Sequence, residues 1–246
     1  MPIVRRGGVK VTKQNREDVM VRRIKEDLRE IQGGFPKRVV DQITLSDLPV
    51  DTPELRLASL LSEYQEARET HLANHTKKVQ AASGLLICGL QQRLFSSIEA
   101  FARTLKVHQR TVERQRKGLV AISNPRQSDL DLLKGGISSD DERAQVNGPD
   151  LAAEEDLQFE KATAAVLPAM EDSVEKNLLK EMSELAEANR FLPDARVKKL
   201  AEWIGLTMCP GGNWNRTRII IFTEYEDTLR YLERSLLSFL PTWRSD

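Results

Sequence analysis

Cysteine is scarce in this 246-residue chain: there are two, Cys88 and Cys209, far apart and in unlike contexts. Such spacing argues against both a disulfide framework and a zinc site, and the two read as buried or incidental thiols. Aromatic residues are also few, at 5%. No apolar run approaches the roughly 18 residues a membrane span needs, so no membrane is expected among its partners. The opening MPIVRRGGVK lacks the apolar centre of a signal peptide, so cytoplasmic residence is expected. With 40% hydrophobic and 30% charged residues, the chain has the composition of one large or two small soluble domains.

Net charge is zero, but the zero conceals a segregation. Residues 1–40 carry eleven Lys or Arg against five acids, residues 84–120 seven against two, and residues 129–189 five against sixteen. A polyanion such as nucleic acid is drawn to the first two stretches and repelled by the third; the alternative is that each run is a solvated face.

In chain order, residues 17–31 read as a helix with Val21, Ile24, Leu28 and Ile31 on one stripe and Arg22, Arg23 and Lys25 on its other faces. After Gly33 and Gly34, residues 38–45 alternate enough for a strand. Asp51, Thr52, Pro53 and Glu54 form a helix start, and the helix is expected to run to about residue 80 through Leu57, Leu61, Tyr64, Leu72 and Val79. His71 and His75 lie one turn apart within it and are expected to be solvated or capping, since no third ligand of matching spacing accompanies them. The most apolar helix is expected over residues 84–102, where Leu86, Leu90, Leu94, Ile98 and Phe101 make one stripe. Gly89 inside it marks a close helix contact.

The segment SIEAFARTLKVHQRTVERQRKGL, residues 97–119, is similar to a helix-turn-helix DNA reader. Ala102, Leu105, Val107 and Val112 fall where two such helices pack, and Arg110, Arg114 and Arg116 project from the second. Lys106 replaces the usual turn glycine and Gln115 an apolar packing residue, so a basic hairpin in a larger helical domain is the competing reading. Residues 123–155 read as an acidic linker, residues 156–190 as helix interrupted at Pro168, and Asp194 as the cap of a short helix facing Val197, Leu200, Ala201 and Ile204 inward. A turn follows at residues 209–213. Residues 219–222 are a continuous apolar run suited to a buried strand, and a helix behind it places Leu229, Leu232, Leu236 and Leu237 on one stripe.

Three pieces in order resemble the Swi/Snf-type branch of the superfamily-two helicases and DNA translocases. They are VMVRRIKEDL with the strand-like segment and PEL helix after it, PDARVKKLAEWI, and RIIIFTEYEDTLRYLERSLL, which resembles helicase motif IV. GLLICGLQQRLFSSIEAFARTL is further similar to the large bacterial helicases of DISARM phage-defence systems. The resemblance implies a mainly α chain, a long-helix bundle or protrusion with a few short strands, ending in the first strand–helix unit of an incomplete RecA-like α/β lobe. It divides the chain into the end of a first motor lobe with a brace helix (1–50), a helical protrusion (51–122), the linker (123–155), a helical segment (156–190) and the start of a second lobe (191–246).

The same resemblance implies a fragment of an ATP-dependent DNA translocase in phage defence, with double-stranded DNA and the remaining lobes or other defence subunits as partners. ATP and magnesium belong to the intact family enzyme. This sequence holds no glycine-lysine-threonine or glycine-lysine-serine phosphate loop and no Asp-Glu pair in an apolar strand context, so no cofactor and no hydrolysis are expected of the chain alone. By resemblance, Thr223 and Tyr225 lie near the tracking strand, for backbone contact by hydroxyl and by stacking, although Tyr225 equally suits lobe packing. Arg22, Arg23 and Lys25 brace the lobes or meet phosphates, and Arg110, Arg114 and Arg116 are the remaining basic candidates. A non-enzymatic DNA-binding protein using the 97–119 hairpin, or a helical scaffold subunit, are the alternatives. Strands at 38–45 and 218–223 without sheet neighbours are expected to leave unpaired edges and a marginally stable isolated chain.

Overall fold

Local capping and apolar spacing set where the helices start and stop. The computed structural model describes residues 39–118, 148–166 and 173–239. The chain divides after Thr44, and the described residues beyond it belong to one compact unit. Its helices are α1 (Pro53–Leu72), α2 (Lys77–Ser96), α3 (Ile98–Arg116), α4 (Gly148–Val166), α5 (Ser173–Asn189), α6 (Ala195–Met208) and α7 (Glu226–Phe239), with a 3-10 turn at Pro210–Gly212. Mainly α character is therefore as expected.

Helices α1 to α5 share one apolar core. Leu57, Leu61 and Tyr64 of α1, Leu86 and Leu90 of α2, Phe101 and Leu105 of α3, Phe159 of α4, and Leu179 and Met182 of α5 are buried together. The segments 51–122 and 156–190 thus meet in a single bundle. Gly89 makes the close contact its position suggests, since a Cβ there would lie 3.2 Å from the Phe159 ring. A second, smaller core joins α6 to α7 through Ala201, Ile204, Met208 and Leu236, with Leu200 and Ile219 against it. No residue belongs to both cores.

Several expectations are corrected. The helix begun at Pro53 ends at Leu72, because Gln80 turns its amide onto the carbonyls of Leu72 (3.0 Å), Ala73 (3.1 Å) and His75 (3.2 Å) and Thr76 opens a new helix. The apolar stripe over 84–102 is real but crosses a break: Ser97 is extended, and its hydroxyl accepts the Ala100 N–H at 3.1 Å to cap α3. From there α3 runs unbroken to Arg116, so the described part of that segment, residues 97–118, forms neither a helix-turn-helix nor a hairpin. Lys106 continues the helix where that motif would turn. The linker expected to Glu155 is helical from Gly148, where Pro149 suits a first turn and the following Ala and Glu residues favour helix.

No strand occurs among the described residues. Residues 39–45 and 218–223 have no regular structure, because neither run meets a neighbouring strand with which to form a ladder. Ile220 and Phe222 are 78% and 90% exposed. Asp194 does cap α6, accepting from the Val197 N–H at 2.8 Å, and Val197, Ala201 and Ile204 are buried as expected. The glycine turn after Cys209 also forms, with Gly211 and Gly212 at φ 66° and 83°. In α7 the buried face is Asp227, Thr228, Tyr231, Ser235 and Leu236, while Leu229 and Leu237 face outward. The leucine stripe is displaced because that helix docks on a polar neighbour.

Candidate functional site: a polar seam between two helical cores

The basic stretch at 84–120 meets the acidic stretch that follows it in sequence. Arg93 of α2 lies 3.2 Å from Glu155, Arg103 of α3 lies 2.9 Å from Asp156, and Arg114 pairs with Glu160, with Arg110 3.8 Å away on the same carboxylate. Arg116 and Lys117 face Glu113 within their own turn, at 3.6 and 3.2 Å, and Lys106 is exposed. The segregation of charge along the chain is thus complementarity within the fold. Pairs as exposed as those of Arg110 and Arg116 contribute at most about 1 kcal/mol, so they neutralise more than they stabilise.

Arg22, Arg23 and Lys25 lie outside the described residues. Arg110 and Arg114 are brought together over Glu160, while Arg116 turns to Glu113. Thr223 and Tyr225 sit elsewhere, where the segment before α7 meets the end of α2. Thr223 donates its hydroxyl to the Tyr225 carbonyl at 3.4 Å. The Tyr225 ring is buried, with the Arg93 guanidinium 4.5 Å from its centroid, so the face a base would stack upon is covered. Burial pushes the Tyr225 hydroxyl pKa up, against the pull of Arg93. Burial likewise raises the Glu155 carboxyl, with Arg93 opposing.

Around these residues runs a seam between the two cores. Arg103 reaches from Asp156 to Asp227 of α7 at 2.8 Å, and the Thr228 hydroxyl lies 2.7 and 2.8 Å from those of Ser96 and Ser97. Glu99 pairs with Arg190 at 3.0 Å and reaches Arg234 of α7 at 4.0 Å, while Arg190 and Arg234 both cover the Phe191 ring. A groove of about 450 Å³ opens along the seam, with Gln92, Phe95 and Ser96 on the bundle side and Arg196, Thr223 and Thr228 opposite. Its polar groups serve local structure. Asp194 caps α6 and pairs with Arg196 at 2.8 Å; the Tyr231 hydroxyl accepts the Asp194 N–H at 2.7 Å and donates to the Leu192 carbonyl at 3.0 Å. Burial, with Asp194 nearby, pushes the Tyr231 hydroxyl up to about 12.

Inside the bundle is a second polar group that sequence reasoning missed. The Tyr64 hydroxyl is 2.9 Å from His108 Nε2, and His108 Nδ1 is 3.1 Å from the Thr163 hydroxyl. Burial, helped by the Arg68 charge, lowers the His108 pKa to about 3 and leaves the ring neutral; burial raises that of Tyr64. Arg68 pairs with Glu175 at 3.3 Å, each side chain 1% exposed. A pair so dry sets geometry more than it adds stability. The available signal was spacing: His108 continues the Phe101 and Leu105 stripe of α3, and Arg68 the Leu61 and Tyr64 stripe of α1.

The glycine turn at Pro210–Gly212 follows the C-terminus of α6, where phosphate meets carbonyls and not the N–H groups of a helix start. Among the described residues no group of three His, Cys, Asp or Glu is placed to hold a metal, His71 and His75 stacking at 6.0 Å included, and no helix is long and apolar enough to cross a membrane. No protein-family model, curated protein or solved structure matches this chain.

Proposed function

We propose that the chain is part of a Swi/Snf-type DNA translocase, with α1 to α5 as a helical protrusion and residues 191–239 as the opening of a second RecA-like motor lobe. The observation that carries this reading is the run at 219–222. It is apolar, without regular structure and exposed at Ile220 and Phe222, and it leads through a polar turn into α7. An apolar run with Ile220 and Phe222 left in water suits a central strand of a parallel sheet, which needs cover on both faces. Ile219 already packs on the α6–α7 core, as one face of such a strand would. The remaining strands, the ATP site and the magnesium site belong to other parts of the enzyme. Duplex DNA is the polymer translocated, and phage defence is the setting that the sequence resemblance favours.

The test is the full natural reading frame. It should encode a phosphate loop before this region and an arginine-finger motif after it, and the purified product should hydrolyse ATP faster with duplex DNA. Ile220→Asp with Phe222→Asp should abolish that stimulation. A reading frame with neither motif, or a product whose ATP turnover ignores both DNA and the double substitution, overturns the reading. The DNA-reading hairpin is not carried forward, since α3 is continuous and its Arg110 and Arg114 are engaged by Glu160.

A further inference from the structure

The two apolar cores are held to each other by charge, hydroxyls and cation–π contacts. Separating α6 and α7 from the bundle leaves each core intact, because no residue is shared between them. The ion pairs that cross the seam are partly buried, but on separation their charges and the seam hydroxyls become hydrated, which offsets much of the loss, whereas buried apolar surface gains nothing from water. A break therefore runs along the seam before it runs through either core.

The pairing pattern carries the argument further. On the bundle side, Arg103, Arg93, Glu99 and Ser97 each have a second partner that stays with the bundle, while Glu54 releases the Ala195 N–H of α6 and the Phe95 carbonyl releases Arg196, both to water. Arg103 keeps Asp156 when it releases Asp227. Arg93 keeps Glu155 when it leaves the Tyr225 ring. Glu99 keeps Arg190 when it releases Arg234. Ser97 keeps the Ala100 N–H when it releases Thr228. Opening therefore leaves none of these bundle groups without its second partner. A groove already admits solvent along part of the contact. Arg190 closes the end of α5, its N–H bonded to the Ala186 carbonyl, and residues 191–193 between it and α6 form the short connection about which such a movement would turn.

We propose that this seam is a reversible latch: α6 and α7 swing off the bundle about residues 191–193, and the bundle-side groups fall back on Asp156, Glu155 and Arg190. This holds whatever enzyme the chain belongs to, so it stands or falls apart from the translocase reading. Within a motor, it would let the protrusion engage and release the second lobe.

The chain carries its own reporters, since Cys88 lies in α2, Cys209 follows α6, and neither is in a disulfide. Nitroxide labels on the two thiols, read by pulsed electron paramagnetic resonance, should give one short distance at low salt. In 1 M NaCl, and in Arg103→Met or Thr228→Val at low salt, a second, longer population should appear with far-UV circular dichroism unchanged. Should both variants lose helix, the salt titration of the unsubstituted chain decides. A single distance indifferent to salt and to the folded variants overturns the latch, as does a lengthening that appears only together with loss of helix.

Discussion

His108 shows how one residue makes the bundle sensitive to acid. Its ring is fully buried between Tyr64 and Thr163, and its folded pKa of about 3 lies well below the ordinary 6.5. The unfolded chain therefore binds a proton that the fold refuses. Stability from this group is complete above about pH 6.5 and is lost as pH falls toward about 3. Between pH 7 and 5.5 the loss should be about 1 kcal/mol, before most carboxylates titrate. Urea denaturation at those two pH values should show it for the unsubstituted chain. His108→Gln, compared with its own stability at neutral pH, should not show it; equal losses in both proteins would assign the acid sensitivity to other groups.

Between elements, the tightest constraint is where α2 crosses α4. Gly89 is buried in α2, and the space a side chain would need is filled by Phe159, itself buried. Gly89→Val should cost about 1–3 kcal/mol by overpacking. Gly84, in the same helix, has nothing within 4 Å of where a methyl group would sit, so Gly84→Ala should gain up to about 1 kcal/mol from helix propensity. Thermal or chemical melts of the two variants should move in opposite directions. The same logic of neighbours explains the break at Ser97, which caps α3 and offers its hydroxyl to Thr228 of α7 in one conformation.

For the molecule as a whole, the pairing of basic with acidic stretches decides how it meets a polyanion. Glu160 holds Arg110 and Arg114 on the outer side of α3. Glu160→Gln removes that carboxylate and should strengthen binding to heparin or duplex DNA. The slope of log affinity against log salt should steepen by up to about 2, roughly one per arginine released. Unchanged affinity and slope, measured by fluorescence anisotropy over a salt series, would show that these arginines do not face the polymer.

What the sequence determined by itself were features whose causes lie within a turn or two of helix. The Asp194 cap, the glycine turn after Cys209, the apolar stripe from Leu86 to Phe101 and the close approach at Gly89 were legible because capping and the 3.6-residue repeat are local. Tertiary structure decided the rest. Whether residues 219–222 become a strand depends on neighbours they do not meet here, since an extended run has no backbone partners of its own. Which face α7 buries was set by Ser96, Ser97 and Arg103 more than a hundred residues earlier in the chain, which turned Thr228 and Asp227 inward and left Leu229 and Leu237 in water. The candidate basic site dissolved for the same reason: charge along a chain is additive, but charge on a surface depends on what folds against it, and here the acidic helix folded onto the basic one.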